Sequence, residues 1–137
     1  MIGPTELIDW TRLAEARTRM GPKYWRTLGY LHDEGLVAMS AVENALRAHD
    51  PVAMIGPAER LKDEALPLGE MRLAEIAETI EMQARDCVEW HQDPAPLIEA
   101  VVSLRATFAE TVDLLQQESN PLIQRRMPGK TTGLVAA

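Results

Sequence analysis

Apolar residues return every three or four positions along most of this chain, and the stretches in which they do so are separated by proline and glycine. Thr5 is placed to cap a first helix carrying Leu7, Ile8, Trp10, Leu13 and Ala14, which ends near Met20. Gly21 and Pro22 form a stop and a restart. The second helix carries Trp25, Leu28, Leu31, Met39, Val42 and Leu46, has a weak point at Gly35 and runs to about Ala48. Asp50 as N-cap and Pro51 at the first helical position start a third helix through Val52 and Ile55.

Gly56 and Pro57 interrupt that third helix, because proline has no N–H for the carbonyl of Ala53 and its ring crowds the turn. The helix either kinks there or ends and restarts with Gly56 as the cap, and Ala58 to Ala65 is helical in both cases. Leu66 to Gly69 reads as a loop. A fourth helix follows through Met71, Leu73, Ile76, Ala77, Ile80, Ala84, Cys87 and Val88. Asp93 and Pro94 repeat the Asp-Pro start and open a fifth, whose stripe is Leu97, Val101, Leu104, Phe108, Val112 and Leu115.

No segment reads as a strand and no internal repeat is present. Four long amphipathic helices with short connections bury their stripes only against one another. The expected fold is therefore all-α, an antiparallel four-helix bundle over residues 1–118 with the first helix as a lid. Residues 119–137, with two prolines, two glycines and no sustained period, read as a flexible C-terminal tail.

Charge sharpens this division. The chain carries a net charge of −7, and Arg125, Arg126 and Lys130 stand in a tail without acids, so residues 1–118 hold −10. An acidic body argues against nucleic-acid binding, which needs a basic face. The single cysteine, Cys87, excludes an internal disulfide and leaves too few soft ligands for structural zinc. With no leader-like start and no apolar run of membrane-spanning length, the expectation is a cytoplasmic protein that binds neither membrane nor cofactor.

The stretch Pro57 to Gly69, PAERLKDEALPLG, carries the candidate chemistry. Ala58, Leu61, Ala65 and Leu68 share one face of its helix, which sets Glu59, Lys62 and Asp63 outside. The string Ala58-Glu59-Arg60-Leu61-Lys62-Asp63, then Leu68-Gly69 and Arg72-Leu73-Ala74-Glu75-Ile76-Ala77, resembles the active helix and following helix of histidine-containing phosphotransfer domains. The lead-in LIDWTRLAEARTRMG and the turn AHDPVAM resemble the same family, so the likeness spans roughly residues 5 to 118. It implies a helical bundle that relays phosphoryl groups in two-component signalling. The implied partners are a response-regulator receiver domain or a sensor kinase.

Two departures fall on the chemistry. Glu59 stands at the position of the family's phosphoacceptor histidine, and Asp63 at that of the glycine which lets a partner approach. Lys62 keeps the family's cation. Transfer from an aspartyl phosphate needs an in-line nucleophile and cations on the equatorial oxygens. Attack by a glutamate would only make another acyl phosphate, so the expected protein is no enzyme. It is a degenerate phosphotransfer module that binds or modulates receiver domains as a monomer. Glu59, Arg60, Lys62, Asp63 and Gly69 form its partner-binding surface, with Glu59 as a fixed negative charge paired to Lys62.

His32, His49 and His91 read as surface or capping residues. Glu75, Glu78, Glu81 and Glu89 read as a solvated acidic face, because the E-x-x-H pattern of a carboxylate metal site is absent. Trp10, Trp25 and Trp90 read as core or half-buried packing, and Met39, Met54, Met71 and Met82 as core fillers. Two alternatives stand beside the main one: an active phosphotransfer protein using a displaced histidine, and a helical assembly module without signalling role.

Overall fold

A computed structural model describes residues 5–119. Five α-helices follow in order: α1 Trp10–Met20, α2 Tyr24–Arg47, α3 Pro51–Ala65, α4 Met71–Glu89 and α5 Ile98–Ser119. Short 3-10 turns at Gly21–Lys23, Leu66–Leu68 and Ala95–Leu97 join α1 to α2, α3 to α4 and α4 to α5. Among the described residues there is no strand, and no helix is long and apolar enough to cross a membrane. The tail expected over 119–137 lies, beyond Ser119, outside the described residues.

The fold is all-helical and bundle-like. α3 packs against both α2 and α4, and α5 closes the set by packing on α4 and α2. The stripes meet in one core that includes Met39, Val42, Met54, Leu61, Ile80, Leu104 and Phe108. Gly35 has a packing role there: a Cβ added to it would lie 3.0 Å from the Phe108 ring. A second cluster of Ile8, Leu13, Ala16, Tyr24, Leu28, Leu68 and Leu115 fixes α1 and the residues ahead of it.

That N-terminal segment corrects one expectation. Asp9, not Thr5, caps α1, taking the backbone N–H groups of Thr11 and Arg12 on its carboxylate. Thr5 to Ile8 are held elsewhere: Asp9 N–H donates to Gly69 O at 2.7 Å and Met71 N–H to Leu7 O at 3.1 Å, so the stretch runs beside the α3–α4 junction before the helix begins. Thr5 donates its hydroxyl to Glu75 and accepts from Arg72 on its carbonyl.

Pro57 does not end α3, which runs unbroken through it from Pro51 to Ala65. The carbonyl it cannot serve belongs to Ala53, an exposed residue, while buried Met54, Ala58 and Leu61 anchor the helix in the core on both sides of the proline. Leu66 to Leu68 is a 3-10 turn and not an open loop. Asp50 caps α3 as expected, accepting from Ala53 N–H. Asp93 instead accepts the N–H of Ala95 ahead of a 3-10 turn, so α5 proper begins at Ile98.

α2, the 3-10 turn after α3, and α4 end on variants of one motif. His49, Gly69 and His91 each have positive φ, of 55°, 74° and 53°. The next residue, Asp50, Glu70 or Gln92, donates its N–H back to Ala45, Ala65 or Cys87 respectively. These are left-handed caps that satisfy the last carbonyls of a helix. Histidine fills the position twice, where glycine pays no steric cost.

The tryptophans are not core. Trp10, Trp25 and Trp90 are 47%, 42% and 66% exposed. Trp25 has its ring under the Arg17 guanidinium at 5.0 Å and edge-on to buried Tyr24. Met39 and Met54 are buried as expected, whereas Met82 is exposed on α4.

Candidate interaction site

α3 presents its inner face as expected, with Ala58, Leu61 and Ala65 buried, and Leu68 buried in the turn that follows. The helical period then sets Glu59, Arg60 and Asp63 on the exposed side, with Lys62 half-buried toward α4. Four of the five residues expected to bind a partner thus share the accessible part of one helix.

Gly69 does not join them. It is buried, and a Cβ built on it would lie 2.4 Å from the carbonyl oxygen of Asp9, so the segment leading into α1 covers it. Its glycine serves a left-handed turn and a close backbone approach, not a partner.

The expected pairing of Glu59 with Lys62 is also corrected. Lys62 Nζ donates to Glu81 Oε1 at 2.9 Å, across the α3–α4 contact. The other oxygen of Glu81 accepts from Arg85 Nε at 3.2 Å and Nη2 at 3.0 Å. The side chain of Glu81 is only 8% exposed, so its carboxylate needs both cations and Lys62 turns toward it. The hydrogen bond from Lys62 holds Glu81 below the usual carboxylate range, and the bond to Glu81, helped by the charge of Asp63, raises Lys62 above the usual amine range. Glu81 was expected on a solvated acidic face. Its i,i+4 spacing to Arg85 and its place beside the inward Ile80 were the available signals in the sequence.

Arg60 is committed as well. It donates to Glu34 of α2 at 2.5 Å and to Glu64 one turn on at 3.1 Å, and both bonds raise its pKa, that of Glu64 most. Glu59 itself makes no hydrogen bond or ion pair among the described residues. The outward face of α3 therefore carries two carboxylates, Glu59 and Asp63, while both cations of the helix are turned to other partners.

The histidines lie elsewhere. His32 is not a surface residue: its side chain is 12% exposed and its Nε2 meets Oε2 of Glu70, itself 3% exposed, at 2.7 Å. This pair joins α2 to the start of α4, and nothing in the sequence spacing marks it. His49, exposed, bonds through Nδ1 to Asp93 at 2.9 Å, and this bond holds Asp93 below its ordinary range. His91 is exposed at its left-handed cap. A hollow lined by Trp25, Leu28, Gly29, His32, Leu115 and Gln116 opens between α2 and α5, away from α3.

Among the described residues no group of three or more His, Cys, Asp or Glu is placed to hold a metal ion. Comparisons of the chain with protein-family models, with curated proteins and with solved structures match nothing.

Proposed function

We propose that this chain is an antiparallel four-helix bundle of the histidine-containing phosphotransfer type that has lost its phosphoacceptor. In this reading it is a monomeric, cytoplasmic module of two-component signalling that docks on receiver domains through α3 and modulates them without passing phosphate. The observation that carries the proposal is the register of α3. The inward residues Ala58, Leu61 and Ala65 are buried while Glu59 is exposed and uncommitted, which fits a docking face whose phosphoacceptor has been replaced.

His32 and His49 support the non-transferring reading. His32 is engaged with the buried carboxylate of Glu70, and His49 is bonded to Asp93. Neither has a lysine or arginine bonded beside it to offset phosphoryl charge. Incubation with a phosphorylated receiver tests this directly. The protein takes up no acid-labile label, and stable label on any histidine contradicts the proposal.

A further inference from the structure

Position 59 has two cations within one turn of α3, Arg60 and Lys62, and both are held by carboxylates of the scaffold. Arg60 lies between Glu34 and Glu64, at the edge of the helix facing α2. Lys62 is drawn to the opposite edge by Glu81, a carboxylate nearly removed from water and shared with Arg85. Of these carboxylates only Glu81 is both buried and on α4, and it is the one that turns the Lys62 ammonium away from Glu59.

From this geometry we infer that Glu81 is a positioning residue: it withholds Lys62 from position 59, and so keeps the outward face of α3 anionic and unfit for phosphoryl transfer. The inference rests on the reading of that face as the docking face. A phosphoryl group in transfer carries charge on its equatorial oxygens and needs a cation beside it. For Lys62 to serve, it must leave a short charge-assisted bond and strand Glu81 in a dry site with Arg85 alone. Replacing the nucleophile without releasing the lysine therefore leaves the site incomplete. In the native chain, release of Lys62 brings its positive charge toward Glu59, one turn back on the same helix, and offsets one of the two carboxylates of the face.

The test uses the full chain carrying Glu59→His and Asp63→Gly, alone and combined with Glu81→Gln. Phosphoramidate is the phosphoryl donor. The imidazole nitrogen at position 59 displaces ammonia, so one N–P bond forms as another breaks and the departing ammonia keeps its nitrogen's electron pair. Adding Glu81→Gln speeds labelling at position 59 about tenfold, less than a preorganised donor gives because the released lysine is mobile. Adding Lys62→Ala removes that gain. Equal rates with and without Glu81→Gln, a gain that survives Lys62→Ala, or no labelling in any variant overturns the inference.

Glutamine keeps the shape of Glu81 and an oxygen for Arg85, and a second measurement needs no transfer at all. In the otherwise native chain, NMR titration of the Lys62 ammonium shows its pKa falling with Glu81→Gln, and an unchanged pKa contradicts the withholding. Receiver binding by the native chain is measured in parallel. Its failure sinks the docking reading while the labelling and titration results still decide the role of Glu81.

Discussion

His32 of α2 and Glu70 at the entrance to α4 meet at 2.7 Å with side chains 12% and 3% exposed, which makes them the most buried ionisable pair that α2 forms among the described residues. Glu70 also lies close enough to buried Tyr24 for its charge to help raise the tyrosine pKa, although burial is the larger cause. Removing one member of such a pair leaves the other uncompensated. His32→Ala is expected to destabilise the fold by about 3 kcal/mol, and Glu70→Gln by less, because an amide keeps a hydrogen bond to the imidazole. Denaturant unfolding of the two variants checks the order.

The Lys62–Glu81–Arg85 set gives a pH dependence of defined sign. The folded-state pKa of Glu81 lies below the ordinary 4.5. The stability it contributes is therefore fully present above that value and is lost as pH falls through the folded pKa. Glu81→Gln is expected to lower stability at pH 7, with the gap to the parent protein narrowing as pH drops below about 4. Unfolding curves at pH 7 and pH 3 measure the gap, and a constant gap contradicts the pairing.

Gly69, at the α3–α4 junction, is where the segment ahead of α1 docks on the bundle. Gly69→Ala imposes a left-handed alanine and a clash with the carbonyl of Asp9, so the expected cost is roughly 2 kcal/mol. Hydrogen exchange localises the effect. The Asp9 amide, which donates to Gly69 O, exchanges faster while the amides of α3 and α4 keep their protection.

His91 offers the opposite change. It is exposed, bears φ of 53° at the end of α4, and has no hydrogen bond from its ring among the described residues. His91→Gly removes the left-handed strain and is expected to stabilise the protein by about 1 kcal/mol. Thermal unfolding reads the gain, and a lower melting temperature speaks against the strain.

The sequence showed what repeats and missed what is paired at a distance. The stripes of α2, α4 and α5 and the inward set of Ala58, Leu61 and Ala65 were legible because burial follows helical period. Asp50 was legible as a cap because its Asp-Pro signal is local. Thr5 misled because the choice between it and Asp9 is made by backbone bonds to Gly69 and Met71, sixty residues on in the chain. Pro57 left a kink and a break both open, and the unbroken α3 removes the break, since local propensity lost to the packing of Met54 and Ala58 on both sides of it. Lys62 was read with its helix neighbour Glu59, but a buried carboxylate on another helix outweighs an exposed one nearby. The pairing of His32 with Glu70 spans 38 positions and leaves no periodic trace.

The docking role of α3 is tested most directly by titrating receiver domains from the same genome against the native chain and its Glu59→Ala variant. The proposed function predicts saturable binding to at least one receiver, weakened about tenfold by the substitution, equivalent to about 1.4 kcal/mol. No binding to any receiver, or equal binding by the two proteins, contradicts it.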